Sequence, residues 1–157
     1  MKKNLFYLGM LLVATLMING CDSSDDVKAN YIEYNGKSHS IKDAGQVFFG
    51  HYFGNNSNNI TLLFITDEHN VTFEMFVPNG DTKLLTGNYL PNDNYQPFTI
   101  LNGLITKDGN TVYSMTTATI KIKVDGNVYN IEIEGTLQNN TTVKGKFSGQ
   151  LEWLDES

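Results

Sequence analysis

The chain contains no arginine, one cysteine and three prolines among its 157 residues. The absence of arginine removes the side chain that pairs in a bidentate manner with phosphate or guanine. The formal net charge of −6 would also repel a nucleic-acid duplex. A single cysteine excludes an internal disulfide. We therefore expect neither a nucleic-acid partner nor a disulfide-linked fold.

Long apolar runs are equally scarce, and the clearest one lies at the N-terminus. Lys2 and Lys3 precede an uncharged, mostly apolar stretch over residues 5–18, which is the layout of a secretory signal peptide. As a helix, these fourteen residues would span about 21 Å, whereas the hydrocarbon core of a bilayer is about 30 Å thick. The stretch therefore predicts export rather than a transmembrane span.

The signal stretch ends in "MINGC", residues 17–21, which contains the only cysteine. This sequence resembles the lipobox of bacterial lipoproteins, in which the cysteine follows an apolar residue and a small residue. The resemblance implies that residues 1–20 are a lipoprotein signal peptide, and that Cys21 is acylated, for instance with palmitate, and becomes the first mature residue. Two acyl chains suffice for stable anchoring. The alternative is a free thiol in a secreted chain, which could pair between molecules.

Acidic residues follow the cysteine directly, namely Asp22, Asp25 and Asp26. A segment this polar cannot bury a core, so residues 21–29 are interpreted as the lipidated cysteine and a solvated acidic tether. The run also resembles the signal that sends lipoproteins of the Bacteroidota to the exterior face of the outer membrane. We therefore expect a lipid anchor in the outer membrane that faces the exterior, with a periplasm-facing anchor as the alternative. Removal of residues 1–20 leaves nine lysines against seventeen acidic residues, a net charge of −8.

Residues 30–157 predict one all-β domain. Asparagine, threonine and glycine are frequent, whereas a helical domain would be richer in alanine, leucine, glutamate and lysine. Turn-forming clusters such as "PNGD" and "KDGN" separate short apolar segments. The pattern predicts an antiparallel meander of about nine or ten short strands, closed into a barrel or folded as a sandwich. Upstream of residue 116 the candidate strands cover 30–35, 46–53, 59–66, 71–77, 84–90, 98–106 and 110–115.

The last third of the chain alternates most regularly. In "TATIKIKV" the even-numbered apolar residues share one face, and in "YNIEIEGTL" the odd-numbered ones do. The dipeptide Asp125-Gly126 lies between these segments and predicts a two-residue hairpin turn. Such a turn would pair Ile122 with Tyr129, so that apolar side chains meet on one face.

The next segment, "TVKGKFSGQLEWL", keeps an odd-numbered inner face that includes Phe147 and Trp153. Because the preceding strand has the same parity, the loop between the two must hold an odd number of residues. With Asn140 at the centre of that loop, Glu134 would face Lys146. Glycines on the inner face predict bends or close backbone approach, as in a small barrel.

The stretch "YSMTTATIKIKVDGNVYNIEIEGTLQNNTTVKGKFSGQLEWL" covers about a third of the chain. It resembles the C-terminal half of small Bacteroidota lipoproteins that carry a calycin-like, lipocalin-related all-β domain. The shared pattern is a "Y-x-I-x-I-x-G" strand followed by a "G-x-F-x-G-x-L" strand. The resemblance implies a fold and leaves the ligand open, because fold does not fix function.

Catalytic and metal-binding motifs are sparse. The chain has no G-x-S-x-G elbow, Walker loop or dinucleotide fingerprint. Its histidines are His39, His51 and His69. No two of them lie within four residues of each other, so their spacing does not predict a zinc site, and "DEHN" around His69 is interpreted as a polar turn. Residues 92–94 lack the calcium-loop pattern. Glu132 and Glu134 share an outward face without a cleft. We expect no enzymatic activity, no cofactor and no metal.

Two tyrosines stand apart from the alternating core pattern. Tyr52 adjoins a Gly-Asn loop and Tyr95 lies between two prolines, so both could stack on a sugar or line a barrel mouth. They suggest a surface-exposed binding module for a glycan, a peptide or a small apolar ligand. The alternative is a non-enzymatic accessory or structural subunit that binds an outer-membrane protein.

Overall fold

A computed structural model describes residues 30–51 and 56–154 of the chain. Within these ranges every regular element is a β-strand, which confirms the all-β prediction. The ten strands are β1 (Tyr31–Tyr34), β2 (Lys37–His51), β3 (Ser57–Thr66), β4 (Asn70–Pro78), β5 (Gly87–Pro91), β6 (Thr99–Lys107), β7 (Asn110–Asp125), β8 (Val128–Leu137), β9 (Thr142–Gly149) and β10 (Glu152–Trp153). The same ranges contain no helix of the length and hydropathy that a membrane crossing requires.

Nine of the strands close into a barrel. The strand order is β1-β9-β8-β7-β5-β6-β4-β3-β2-β10, and β1 also pairs with β2, which joins the two sides of the sheet. This closure selects the barrel over the sandwich. Most pairings are antiparallel between chain neighbours, as a meander requires, whereas β5–β6 and β10–β2 are parallel and make the sheet mixed. Strand β10 is not one of the nine barrel strands and pairs with β2 at Gly45 and Gln46.

The connections define two ends of the barrel. One end, which we call the lower end, is formed by the turns Asn35–Gly36, residues 67–69, Asp108–Gly109 and residues 138–140. The other end, which we call the upper end, is formed by residues 79–86, 92–98, Gly126–Asn127 and 150–151. Consecutive antiparallel strands reverse at alternate ends, so residues distant in sequence come together at each end.

Side chains fill the barrel interior along its length. Near the lower end the rings of Tyr34 and Tyr113 have centroids 6.1 Å apart, and in the middle those of Phe64 and Phe147 are 5.6 Å apart. Towards the upper end the Gln46 amide lies 3.4 Å from the Tyr129 hydroxyl. Each contact joins two strands that are not neighbours in the sheet, so it crosses the interior. The interior is therefore a packed core.

The hairpin between β7 and β8 has the predicted faces but a different register. Val124 pairs with Tyr129 and Ile122 with Ile131, so the turn consists of Gly126 and Asn127 rather than Asp125 and Gly126. Gly126 has a φ of 59°, as expected for the first central residue of a two-residue turn of type II′. A shift of two residues keeps every side chain on its face, and for that reason alternation alone did not distinguish the two registers.

The hairpin between β8 and β9 is displaced in the same way. Glu134 faces Lys144 rather than Lys146, and Lys146 faces Glu132. The loop holds the predicted odd number of residues, three, over residues 138–140. It is closed by a hydrogen bond of 2.8 Å from the Leu137 amide to the Thr141 carbonyl. Asn140 occupies the last loop position with a φ of 64°, where a left-handed residue ends a three-residue loop.

Three other predictions needed correction. Strand β2 begins at Lys37 instead of residue 46, because it first pairs with β1 and then, past an irregularity between Ile41 and Asp43, with β3. The two segments 110–115 and "TATIKIKV" form one strand, β7. Trp153, expected inside, is 42% exposed, since the chain leaves β9 at Gly149 and joins the outer edge of β2. Phe64 and Phe147 are buried.

Candidate functional site

Five of the predicted functional residues lie outside the described part of the chain. They are Cys21, Asp22, Asp25, Asp26 and Tyr52. The lipid anchor, the acidic export signal and the role of Tyr52 therefore stay predictions from the sequence.

Tyr95 is a packed part of the 92–98 loop. Its ring lies edge-on against Phe76 with centroids 5.5 Å apart, and its carbonyl oxygen accepts a hydrogen bond from the Ser57 hydroxyl. Its φ of 53° is unusual for a bulky residue and marks a backbone position that surrounding contacts must hold. Tyr95 is not among the residues that line the groove described next, so its predicted role in ligand binding does not extend to that groove.

A groove with a volume of about 570 Å³ opens at the upper end of the barrel. The β7–β8 hairpin forms one wall and the segment before β5 forms the other. Its lining mixes polar and apolar side chains: Gln46, Lys83, Leu84, Leu85, Thr86, Val124, Gly126, Asn127, Tyr129, Gln150 and Leu151. A volume of this size is within the range of small-ligand sites, about 300 to 1,000 Å³.

The floor of the groove is polar although it is buried. Gln46 is 2% exposed, and its side-chain oxygen accepts a hydrogen bond of 3.0 Å from the Leu84 amide. Its side-chain nitrogen lies 3.4 Å from the Tyr129 hydroxyl. An amide and a phenol thus lie where the packed core ends. Buried polar groups that are held by hydrogen bonds keep a fixed orientation, which is what a binding site requires.

Hydrogen bonds also fix the walls of the groove. The Val124 amide donates to the Thr86 hydroxyl at 2.9 Å, which ties the segment before β5 to β7. Beneath that segment, the hydroxyl of the buried Tyr89 accepts from the Leu85 amide at 3.0 Å and donates to the Leu85 carbonyl at 3.2 Å. Burial raises the pKa of Tyr89 to about 12, so the phenol keeps its proton at neutral pH. The groove is therefore formed before any ligand arrives.

A second polar cluster lies at the lower end. The rings of Tyr34 and His39 stack with centroids 4.4 Å apart, and His69 stands edge-on to both rings. The Tyr34 hydroxyl is 2.6 Å from Nδ1 of His69. Glu68, next to His69 in the turn before β4, pairs with Lys37. The structure thus brings together two histidines that sequence spacing kept apart.

Charge and burial set the protonation of this cluster. Burial lowers the pKa of His69, and the nearby His39 lowers it further, so the His69 imidazole is neutral at pH 7. Burial also raises the pKa of Tyr34 well above its usual range, with contributions from Glu68, Tyr113 and Asp67. The hydrogen bond from Lys37 lowers the pKa of Glu68, which is therefore a carboxylate. The cluster offers the neutral imidazole of His69 and the carboxylate of Glu68 at neutral pH.

Other residues that the sequence singled out have local partners. Glu132 and Glu134 lie exposed on the outer face and pair across strands with lysines of β9, and the Lys146 nitrogen is 3.8 Å from the Glu132 carboxylate. In the 92–98 loop, the side-chain oxygen of Asn92 accepts a hydrogen bond of 2.9 Å from the Asn94 amide. The same loop is closed by the Thr99 hydroxyl, which donates to the Gln96 carbonyl.

Sequence reasoning did not identify Gln46 or the pairing of His39 with His69. Gln46 occupies an inward position among apolar residues, and a polar residue at such a position is the signal that could have found it. His39 lies in a segment that was not predicted as a strand.

The chain matches no protein-family model, no curated protein and no solved structure. The resemblance to lipoproteins with a calycin-like domain therefore stays a prediction from the sequence, while the closed all-β barrel is a property of the structure.

Proposed function

We propose that this protein is a lipid-anchored, surface-exposed lipoprotein of the outer membrane whose barrel binds a short glycan in the groove at its upper end. The observation that carries the binding proposal is the groove itself, with its buried Gln46–Tyr129 floor. The anchor and the location rest on the "MINGC" motif and on the acidic residues that follow it. The binding role is non-catalytic.

The packed interior directs the ligand to the end of the barrel. A lipocalin-like pocket would need free space where Phe64 meets Phe147, and these rings are in contact. An apolar ligand inside the barrel is therefore disfavoured, and the groove offers the volume that the interior lacks. Of the ligand classes that the sequence allows, a glycan and a peptide can bind at such a surface groove.

The lining of the groove favours a glycan over a purely apolar ligand. The exposed side-chain amides of Asn127 and Gln150 can donate to and accept from sugar hydroxyls. Tyr129 contributes an aromatic ring with a hydroxyl, and Leu151 an apolar contact for the C–H face of a sugar. A sugar presents both kinds of surface at once, which matches this mixed lining.

Native mass spectrometry of residues 22–157, incubated with a set of short neutral oligosaccharides, tests the proposal. We expect a retained adduct of one glycan per chain. The double variant Asn127→Ala/Gln150→Ala removes two exposed amides from the groove and should lose the adduct. Asn88→Ala removes an exposed amide on β5, outside the groove lining, and should keep the adduct.

Two results would count against the glycan. One is the absence of any adduct, and the other is equal binding by the groove variant and the Asn88→Ala control. If the chain binds no glycan but copurifies stoichiometrically with an outer-membrane protein, the alternative of an accessory subunit replaces this proposal. Exposed apolar side chains such as Phe49, Leu90 and Trp153 lie on separate strands and do not by themselves argue for that alternative.

A further inference from the structure

The lower end of the barrel contains a buried nitrogen with no hydrogen-bond partner. Nδ1 of His39 is buried, the residue is 3% exposed, and no donor or acceptor within the described residues satisfies this atom. Its nearest charged neighbour is Asp67, whose carboxylate oxygen is 3.7 Å away, beyond normal hydrogen-bond distance. Buried polar atoms are nearly always paired, so an unpaired one marks a position at which a ligand can bind.

We propose that His39, Glu68 and His69 form a binding site for a divalent transition-metal ion, with zinc as the preferred ion. One ligand atom from each residue lies within 4.8 Å of the others. In a tetrahedral zinc site with bonds of about 2.0 to 2.1 Å, ligand atoms are roughly 3.3 Å apart. Closing the site therefore requires side-chain movements on the order of an ångström. This site is at the opposite end of the barrel from the groove and goes beyond the proposed glycan binding.

The donor set favours zinc over calcium or magnesium. Two imidazoles and one carboxylate are the ligands that zinc and its neighbours in the first transition row prefer, whereas calcium and magnesium select oxygen ligands. An imidazole binds a metal through a ring nitrogen that carries no proton. His39 would bind through Nδ1, the atom that is otherwise unpaired.

Tyr34 acts as a positioning residue for both histidines. Its ring stacks on His39 at an interplanar angle of 9°, and its hydroxyl lies 2.6 Å from Nδ1 of His69. Metal-binding histidines commonly hold a second group through the nitrogen that does not bind the metal, and that hydrogen bond fixes the ring orientation. With Nδ1 held by Tyr34, Nε2 of His69 is available for the ion.

Glu68 has a competing partner in the described structure. Its carboxylate pairs with Lys37, whose side chain is 61% exposed, and Asp67 supplies a second carboxylate nearby. Lys107 at the end of β6 and Asp108 in the following turn line the same opening as Glu68. A bound divalent cation would displace the Lys37 ammonium from Glu68, so Lys37 and the metal compete for one carboxylate.

The site has an entrance and leaves room for a water ligand. Glu68 and His69 also line a shallow opening of about 250 Å³ that extends to Gly109. Because three protein ligands leave one tetrahedral position free, water can occupy it from this side. The ligands come from β2 and from the turn between β3 and β4, so the metal would tie two parts of the lower end together.

Calorimetric titration of the full chain with zinc chloride tests the site, after purification in detergent and removal of metal with a chelator. We expect one zinc per chain. Cobalt in the same site should give the visible absorption bands of a tetrahedral complex. Saturation with zinc should raise the melting temperature, because an ion that binds only the folded chain stabilises it.

Glu68 is exposed and His69 is half-exposed, so variants at these two positions separate metal binding from folding. His69→Gln and Glu68→Gln should each weaken zinc binding more than 100-fold, because loss of a residue that only hydrogen-bonds to a metal ligand already costs roughly 10- to 100-fold. Lys37→Gln should tighten zinc binding, since it removes the competing ammonium. His51→Gln, which replaces the last residue of β2, is the matched control and should bind zinc like the native chain. Circular dichroism of each variant verifies folding.

Three results would overturn the proposal: a native chain without a one-site zinc isotherm, a His69→Gln variant with native affinity, or a Lys37→Gln variant that binds no tighter than the native chain. None of these measurements depends on the groove, so failure of the metal site and failure of glycan binding are distinguished.

Discussion

Tyr89 shows how a single residue holds the wall of the groove. Its side chain is fully buried, its ring packs against Phe98 with centroids 5.4 Å apart, and its hydroxyl makes two hydrogen bonds to the backbone of Leu85. Burial is the main cause of its raised pKa of about 12, because a phenolate is poorly solvated inside the protein. The energy that holds this segment in place therefore depends on a protonated Tyr89.

This dependence predicts a loss of stability at alkaline pH. An unfolded tyrosine has a pKa of about 10, so the unfolded chain releases its proton more readily than the folded chain. The contribution of Tyr89 is therefore constant below about pH 10 and is lost as the pH rises from there towards about 12. Tyr34, with its pKa raised in the same direction, adds to the effect. Urea unfolding between about pH 9 and pH 11.5 should show a falling free energy of unfolding.

The variant Tyr89→Phe isolates this effect. It keeps the ring but loses the two hydrogen bonds to Leu85, so the free energy of unfolding should drop by roughly 0.5 to 1.5 kcal/mol at neutral pH. Its decline above about pH 10 should be shallower than that of the native chain. An equally steep decline in both proteins would contradict the role assigned to Tyr89.

Gly126 shows how a turn residue determines the register of a hairpin. Alternation fixed the inward faces of β7 and β8, and both candidate turns satisfied it. The observed turn places Gly126 at the first central position with a φ of 59°, where an L-residue is strained. The turn therefore selected the register among those that alternation allowed, and the same holds for Asn140 in the next loop.

The two turn residues predict different sensitivities to alanine. Gly126→Ala should destabilise the protein by about 1 to 2 kcal/mol, because alanine in the left-handed region is strained even though no atom crowds the position. Asn127→Ala, in the same turn without a positive φ, should change the free energy of unfolding by less than about 0.5 kcal/mol. Chemical denaturation measures both. A larger loss in Asn127→Ala than in Gly126→Ala would contradict the backbone strain assigned to position 126.

For the whole molecule, the packed core determines where function can reside. Contacts across the barrel at Tyr34, Phe64 and Gln46 join strands that are not neighbours and fill the interior. Polar side chains that could bind a ligand are consequently displaced to the two ends, the groove above and the histidine cluster below. An anchor at Cys21 would join the barrel to the membrane through the residues that precede β1.

The anchor prediction is tested by replacing Cys21, the residue that would carry the lipid. Cys21→Ala removes the thiol that would carry the lipid, so the chain should move from the membrane fraction to the soluble periplasmic fraction. Immunoblots of fractionated cells measure this change. Cys21→Ala protein that stays in the membrane fraction would contradict the lipid anchor.

The acidic tether predicts the side of the membrane on which the barrel lies. Conversion of Asp22, Asp25 and Asp26 to asparagine should reduce digestion by protease added to intact cells, since the export signal would be lost while the lipid anchor remains. The matched control converts the acidic residues Asp155 and Glu156 near the C-terminus to their amides, and it should leave digestion unchanged. Unchanged digestion of the tether variant would mean that the acids are only a spacer.

The sequence by itself determined the features that depend on local chemistry and on period-two alternation. The inward faces of β7, β8 and β9, the odd loop before β9 and the all-β class followed from it, because side chains on a strand point alternately to two sides. The signal-like N-terminus and the lipobox resemblance are equally local.

Closure of the sheet, the exact registers and both candidate sites depended on tertiary structure. Gln46 and Tyr129 are 83 residues apart, and His39 meets His69 only because β2 and β3 pair. Such contacts form when the chain closes on itself, and no spacing along the sequence encodes them.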